Sequence, residues 1–293
     1  MQMKLRSLLF VPADSERKLS KGLGSPADAL ILDLEDAVAP SRKEGARHTA
    51  SEFIAAHAPS LTLRLFVRVN PFDTGLTMGD LAAVVVPGLA GIMLPKINSA
   101  ADLVRLSHCL DALEARAGLA AGSIAMLPVA TETAQAMLNM GSFATSAPLP
   151  RLAAVTWGAE DLSTAIGAIA NRDEDGSYSP LYELAASLCL CAATAAGVPA
   201  IDTVHTDFRD TAGLLAACRV SRRRGFRGRM AIHPDQVAAI NEAYLPAAAE
   251  LAHAQRIVDA FAANPDAGAL SMDGAMIDIP HLVQARRTLA SVN

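Results

Sequence analysis

The sequence contains no long apolar run, and none approaches the roughly 18–20 residues of a membrane-spanning helix. The first residues lead into a short run that ends at Pro12, without the cleavage pattern of a signal peptide. Positive charge is not in excess either, because 25 Lys and Arg face 30 Asp and Glu, for a net charge of −5. We therefore expect a cytoplasmic protein that binds no membrane and is not a general nucleic-acid binder.

Cysteine is also scarce, and the four cysteines are not arranged as a metal site. Cys189 and Cys191 lie two residues apart in a predicted helix, so their side chains diverge. We expect Cys109, Cys189, Cys191 and Cys218 to be free and buried, because an unpaired cysteine behaves as a small hydrophobic residue.

What the sequence does contain is a regular alternation of strand-like and helix-like segments. Eight runs are typical of strands, at residues 7–12, 29–35, 63–70, 91–96, 124–130, 153–158, 200–204 and 229–233. Eight such units in about 240 residues predict an α/β fold, a closed (β/α)8 TIM barrel over residues 1–244. A doubly wound open sheet is the main alternative, but no glycine-rich phosphate turn follows the first strand.

Residues 245–293 follow the predicted barrel. Their pattern indicates two helices joined by a loop at residues 264–268. The segment is too short for an independent domain of ordinary size. We therefore expect a C-terminal helical extension of the barrel.

Acidic residues cluster where the second predicted strand ends. Carboxylates are costly to bury unless they are paired, hydrogen-bonded or metal-bound, so Asp33, Glu35 and Asp36 need a partner. In barrels of this kind the working residues lie at the carboxyl ends of the strands. Those ends also carry Arg68, Asn70, Lys96, Glu132, Glu160, Asp161, Asp202 and His233. The set predicts a hard divalent cation with oxygen ligands and an anionic substrate, without telling which carboxylates contact the metal.

Nine short motifs occur in order along nearly the whole chain. They are RSLLFVP (residues 6–12), ILDLEDAV (31–38), VRVNP (67–71), LPK (94–96), TETA (131–134), GAEDL (158–162), DFRD (207–210), IHP (232–234) and DGAMID (273–278). Together they resemble the citrate lyase β-subunit family, within the HpcH/HpaI aldolase superfamily. The resemblance implies a carbon–carbon lyase that depends on Mg²⁺, with Mn²⁺ able to replace it. Its substrate would be citryl-CoA, malyl-CoA or a related hydroxyacyl-CoA ester, cleaved to a 2-oxo acid and an acyl-CoA.

The resemblance also implies roles for individual residues. Glu132 and Asp161 look like the two magnesium ligands, and Arg68 looks like the cation that meets the 2-oxo acid or the developing enolate. Asp273 resembles an acid/base carboxylate that some members deliver across a subunit interface. A homotrimer or a dimer of trimers is implied, with the extension at the interface.

Further residues are expected around that centre. Glu35 and Asp36 are expected to act in catalysis by orienting Arg68 and metal-bound water. Substrate binding is expected from Arg68, Glu132, Ala159, Glu160 and Asp161. Arg17 and Lys21, four residues apart on a predicted helix, are the candidates for contacting CoA phosphates.

Each assignment has a structural alternative. The alternatives are a residue in the first helical turn for Glu132, a helix N-cap for Asp161, an ion-pair partner for Arg68 and a turn residue for Asp273. Lys96 stands where a Schiff-base lysine is conceivable, although the surrounding carboxylates favour a metal.

Two other functions remain open from the sequence. One is a CoA-independent, metal-dependent aldolase of free hydroxy-oxo acids, because Ala13 occupies a loop position where relatives often have glycine, which removes a permissive backbone position. The other is a subunit that works only beside its partners in a lyase complex.

Overall fold

The computed structural model describes residues 3–145 and 148–291. The chain divides into two compact units, Met1–Asn241 and Glu242–Asn293. Across the described residues, no helix combines the length and apolar composition needed to cross a membrane.

The first unit confirms the predicted (β/α)8 barrel. Its strands are β1 (Ser7–Pro12), β2 (Ala29–Asp33), β3 (Arg64–Arg68), β4 (Gly91–Leu94), β5 (Ala125–Pro128), β6 (Val155–Thr156), β7 (Ala200–Asp202) and β8 (Gly228–Ala231). All neighbouring strands pair in parallel in the order β5-β4-β3-β2-β1-β8-β7-β6. Two further parallel bridges, Met126–Leu152 and Val129–Thr156, connect the β5 and β6 regions, which lie at the two ends of this strand order, and so close the barrel.

Seven of the eight strands end two residues earlier than the sequence predicts. The residues beyond those ends lie in the loops at the carboxyl end of the barrel, and they include polar residues such as Glu35, Asn70 and Lys96 as well as buried apolar ones such as Leu34 and Val69. This difference matters because it places the acidic stretch after β2 in a loop rather than in a strand.

Helices cover the outside of the barrel. They are α1 (Glu16–Leu23), α2 (Lys43–His57), α3 (Thr77–Val84), α4 (Ala100–Ala117), α5 (Ala134–Leu138), α6 (Ser142–Thr145), α7 (Glu160–Ile166), α8 (Pro180–Ala195), α9 (Thr211–Arg224) and α10 (Pro234–Ala243), with short 3₁₀ turns at Pro40–Arg42, Ala58–Ser60 and Phe72–Thr74. Ser99 and Asp102 form a capping box that fixes the start of α4 directly after the β4 loop.

Alternate strand residues fill the barrel interior. This buried cluster includes Leu8, Ile31, Phe66, Met93, Leu127, Ile201 and Met230. Because strand side chains alternate in direction, Asp33 and Arg68 continue the inward faces of Ile31 and Phe66. They therefore lie at the carboxyl end of the barrel, above its apolar core.

The second unit contains the two predicted helices, α11 (Ala248–Ala263) and α12 (Ile279–Ala290), and residues 264–268 form a loop as predicted. The second helix does not follow that loop directly, because an antiparallel hairpin of β9 (Ala269–Met272) and β10 (Ala275–Asp278) comes between them. Asp273 and Gly274 make its turn with φ of 52° and 79°. Asp-Gly is a strong hairpin signal, so the sequence held the information that the helical prediction overlooked.

The cysteines are free, as expected, but they are not all buried. Cys189 and Cys218 are buried, Cys109 is half-buried and Cys191 is exposed. The expectation of burial is wrong for Cys191 because it lies on the outward face of α8, two residues from the buried Cys189.

A buried ion pair between Glu114 and Arg151 joins α4 to the segment before β6. Arg151 Nη1 and Nη2 donate to the two Glu114 carboxylate oxygens at 2.6 and 2.7 Å, and the Ile124 and Gly122 amides donate to the same oxygens at 2.8 Å. Burial opposes the carboxylate charge, but the hydrogen bonds from Arg151 and from the Ile124 and Gly122 amides together outweigh it and lower the pKa of Glu114 to about 2. The ionised pair therefore stabilises the fold.

We expect Glu114→Gln to lower the free energy of unfolding by about 2–4 kcal/mol at neutral pH. Because the folded-state pKa lies below the unfolded value, this contribution is present above about pH 4.5 and is lost as the pH falls towards 2. Urea unfolding across that range should show a shallower acid dependence in the variant. Asp111→Asn is the control, since Asp111 contacts the same arginine from an exposed position and should cost under about 1 kcal/mol. Equal losses in both variants would contradict this prediction.

Candidate active site

The ends of β2 and β3 are joined by a bidentate ion pair between Asp33 and Arg68. Arg68 Nε donates to Asp33 Oδ1 at 2.8 Å, and Nη2 donates to Oδ2 at 2.6 Å. Asp33 also accepts hydrogen bonds from the Glu35 and Ala37 amides at 2.9 and 3.3 Å. Asp33 thus anchors both the guanidinium and the acidic loop.

Arg68 has a second carboxylate partner and an aromatic one. Its Nη1 lies 2.9 Å from Glu35 Oε2, and its guanidinium lies 4.8 Å from the centre of the Phe10 ring. Burial opposes the charge, but Asp33 and Glu35 raise the pKa of Arg68 above its usual range. The hydrogen bonds to Asp33 use two of the five N–H donors of the guanidinium. Arg68 is therefore an ion-pair partner of Asp33 and Glu35, as the structural alternative predicts. Its guanidinium has further N–H donors that these contacts do not use.

Lys96, in the loop after β4, brings three carboxylates together. Its ammonium contacts Glu35, Asp36 Oδ2 at 3.0 Å and Asp161 Oδ1 at 3.1 Å. Burial opposes its charge, but hydrogen bonds to Glu35 and Asp36 raise the pKa of Lys96. The amine stays protonated and hence non-nucleophilic, so the site does not favour a Schiff base.

The backbone of Lys96 contacts the remaining acid of the cluster. Lys96 has a φ of 50°, which a residue with a side chain seldom adopts. In this conformation its amide donates to Glu132 Oε2 at 2.6 Å. On the other side of that carboxylate, a Cβ at Gly158 would lie 2.8 Å from Glu132 Cγ and 3.0 Å from Oε1. Glycine at position 158 therefore makes room for Glu132.

The carboxylates at this end of the barrel outnumber the two cations that contact them. Burial, then the charge of Asp161, raises the pKa of the Glu132 carboxyl well above its usual range. Burial likewise raises the pKa of Glu35, against the charges of Arg68 and Lys96. For Asp36 burial acts in the same direction, but the hydrogen bond from Lys96 lowers its pKa. The cluster has an excess of negative charge that a further cation would relieve.

The donor set fits magnesium better than a transition metal. Among the described residues, no group of three His, Cys, Asp or Glu is arranged to hold a metal ion. Mg²⁺ needs only one or two protein carboxylates, since water and substrate oxygens complete its octahedron. Glu132 and Asp161 would supply those oxygens, and an ammonium already neutralises part of the same cluster.

Two structural alternatives from the sequence are wrong. Glu132 precedes the N-cap of α5, Thr133, so it does not lie in a first helical turn. The N-cap of α7 is Ala159, and Asp161 is the second residue of that helix. Neither carboxylate is explained by capping.

Three polar residues at predicted strand ends do not join the cluster. Asn70 donates to the Leu34 carbonyl and to Asp80, and it accepts from Lys43. Asp202 pairs with Arg229 and accepts from the Trp157 indole at 2.7 Å. His233 stacks on Phe208. Asp202 is excluded because its neighbour Ile201 takes the inward position on β7.

The other residues assigned from the sequence are placed as follows. Ala159 is buried beside Asp161, and the exposed Glu160 accepts a hydrogen bond from Asn171 at 2.9 Å. Arg17 and Lys21 are both exposed on α1. In the second unit, Asp273 pairs with Arg256 at 2.5 Å, and it is a turn residue as the alternative held.

Sequence reasoning considered Lys96 only as a strand-end cation or a Schiff-base lysine, and it gave Lys43 no role. Lys96 contacts all four carboxylates other than Asp33, and Lys43 donates to the carbonyls of Leu34 and Glu35. The LPK motif marked the position of Lys96, but the positive φ that aims its amide carries no signal in a single sequence.

Comparison with known proteins identifies the family. The HpcH/HpaI aldolase/citrate lyase family matches residues 6–234. A (3S)-malyl-CoA thioesterase of Cereibacter sphaeroides is 37% identical over 97% of this chain and 93% of its own length. The citrate lyase subunit beta of Haemophilus influenzae is 32% identical, over 98% of this chain and 97% of its own.

Solved structures agree with this assignment. CitE of Mycobacterium tuberculosis, in complex with magnesium, acetoacetate and coenzyme A, is 30% identical with a TM-score of 0.77, covering 99% of both chains. A citrate lyase of Burkholderia xenovorans superimposes with a TM-score of 0.82 over 97% of this chain and 90% of its own, and at 24% identity it supports the fold alone. The chain belongs to the HpcH/HpaI aldolase/citrate lyase family of carbon–carbon lyases.

Proposed function

We propose that this protein is an Mg²⁺-dependent lyase of hydroxyacyl-CoA esters such as citryl-CoA or malyl-CoA. The observation that carries the proposal is the pairing of Glu132 and Asp161, two buried or half-buried carboxylates bridged by one residue, beside the guanidinium of Arg68. The CitE complex with magnesium, acetoacetate and coenzyme A supports a magnesium ion, an oxo acid and a CoA moiety as ligands here.

The residues of the chain divide the work as follows. Glu132 and Asp161 would hold Mg²⁺, which when bound polarises the carbonyl of the 2-oxo acid. Arg68, held by Asp33 and Glu35, would donate to the negative charge that develops as the carbon–carbon bond breaks. Glu35 and Asp36 fix the cations that surround this centre.

Glu35, Asp36 and Asp161 already contact the Lys96 ammonium, and Glu132 is assigned to the metal, so we assign proton transfer to a group outside the cluster. We propose that Asp273 of the partner subunit serves as the acid/base at the substrate hydroxyl or at the thioester α-carbon. This assignment implies a homo-oligomer, a trimer or a dimer of trimers, with the extension at the interface. Arg17 and Lys21, exposed on α1, are proposed to meet the CoA phosphates.

Product analysis tests the function directly. We expect the purified protein with Mg²⁺ to convert malyl-CoA into glyoxylate and acetyl-CoA, or citryl-CoA into oxaloacetate and acetyl-CoA. Liquid chromatography of the acids and thioesters distinguishes the alternatives. Release of free malate and CoA without glyoxylate would instead indicate the thioester hydrolysis named for the Cereibacter relative. Cleavage of free hydroxy-oxo acids without CoA would identify the aldolase, and no turnover until partner subunits are added would identify a complex-dependent subunit.

A further inference from the structure

Lys96 is the residue through which the acidic cluster is connected. Its amide donates to Glu132 Oε2 at 2.6 Å, and its ammonium lies 3.1 Å from Asp161 Oδ1. It therefore contacts one oxygen of each carboxylate to which the proposed function assigns the metal. The same ammonium also contacts Glu35 and Asp36.

The segment around Lys96 is fixed on both sides. Lys96 follows β4 within two residues, and the capping box of Ser99 and Asp102 starts α4 three residues later. The positive φ of Lys96 persists between these anchors because its amide and its ammonium both find carboxylate partners. A strained backbone that is held by two carboxylate contacts indicates that Lys96 has a functional role at this site.

Electrostatic repulsion determines where the Lys96 ammonium lies once a metal ion binds Asp161. A divalent cation on Asp161 and an ammonium on the same carboxylate repel each other at this range, and because both side chains are partly buried the repulsion is stronger than in bulk water. Glu35 and Asp36 offer the ammonium two partners that the metal does not need. The lysine can therefore leave Asp161 without becoming an unpaired charge.

We propose that Lys96 is the resident counter-cation of the metal site, which neutralises Asp161 in the metal-free protein and yields it to Mg²⁺ while remaining on Glu35 and Asp36. The inference rests on the proposed function for the identity of the metal. Lys96 is on this view a positioning residue that keeps the site assembled before metal binds, and Mg²⁺ must compete with it.

The test is the Mg²⁺ affinity of full-length Lys96→Met, measured by calorimetry at neutral pH without substrate. Methionine keeps the length of the side chain and carries the same backbone strain, but it has no charge. We expect Mg²⁺ to bind the variant about tenfold more tightly than the wild type, because the competing cation is gone. We also expect a lower unfolding temperature without metal and a larger gain on adding Mg²⁺.

Two controls make the result specific. Lys96→Arg keeps the charge and should bind Mg²⁺ within about twofold of the wild type. Lys43→Met removes the neighbouring lysine, which contacts Asn70 and two carbonyls instead of Asp161, and should leave the affinity unchanged. If Lys96→Met does not fold, Lys96→Gln serves with the same direction of change.

The outcomes separate the two claims. A wild type that binds Mg²⁺ and a Lys96→Met or Lys96→Gln variant that binds it equally or more weakly would overturn the role of Lys96 alone. Failure of the wild type and of all the variants to bind Mg²⁺ would overturn the metal site of the proposed function. Binding by the uncharged variant but not by the wild type would support the counter-cation in its strongest form.

Discussion

Glu132→Gln is expected to abolish the response of turnover to Mg²⁺ and to lower kcat/KM by more than about 10²-fold. Changing a residue that merely orients a metal ligand already costs about 10–100-fold, so loss of the ligand's charge should cost more. Glutamine keeps the volume of the side chain, and its carbonyl oxygen can still accept the hydrogen bond from the Lys96 amide. Steady-state rates across a Mg²⁺ titration, with the substrate identified by product analysis, measure the effect.

The same variant should not lose stability. The Glu132 carboxylate is buried near Asp161 and Glu35, so its charge opposes folding in the metal-free protein. Its unfolding temperature without metal is therefore expected to equal or exceed that of the wild type. Gly158→Ala offers a graded companion, because its Cβ would press on the Glu132 side chain and raise the Mg²⁺ requirement. A normal Mg²⁺ response in Glu132→Gln would refute the ligand assignment.

Arg68→Lys is expected to lower kcat by about 10²–10³-fold, the loss seen when one donor to a developing negative charge is removed. Lysine keeps the charge but has no planar fork, so it cannot pair with both oxygens of Asp33 and reach Glu35 as well. Arg68→Lys therefore removes the contact geometry of the guanidinium and keeps its positive charge. A larger effect on kcat than on KM is expected, because the contact strengthens as the bond breaks.

Stability must be measured beside activity, since Arg68 also neutralises two buried carboxylates. Arg151→Lys is the matched control: Arg151 is even more buried than Arg68 and is bidentate with Glu114, but it lies before β6 rather than at the carboxyl ends of the strands. Both variants should unfold at lower denaturant concentration, but only Arg68→Lys should lose turnover. Parallel losses of activity in the two variants would mean that Arg68 acts through the fold alone.

Much of the barrel was predictable because its strands are locally encoded. Each strand is a short apolar run bounded by polar or turn residues, and the alternation with helices leaves few topologies. The ends were predicted two residues too long, since an apolar pattern does not tell where the hydrogen-bonded ladder stops. The β9–β10 hairpin was missed although Asp273-Gly274 signals it, because helix formers on both sides dominated the pattern.

The candidate site was predictable in part. The motifs predicted which residue types lie near the strand ends, but they did not predict which of those residues come together in the cluster. Asp202 shares a strand-end position with Asp33, yet it faces outward and pairs with Arg229. Lys96 shows the opposite case, because a single left-handed residue turned an ordinary loop lysine into the contact point of four carboxylates.

Local sequence alone was sufficient for the fold class, the family motifs and the position of the acids near the strand ends, because these depend on residue order and on short-range periodicity. The pairing of Arg68 with Asp33, the bridge from Glu132 through Lys96 to Asp161, and the exclusion of Asp202 needed the folded chain. Those contacts join residues 27 to 65 positions apart, and they depend on which face of each strand points inward and how each loop leaves it. Charges that are close in space, not in sequence, decide what this site can bind.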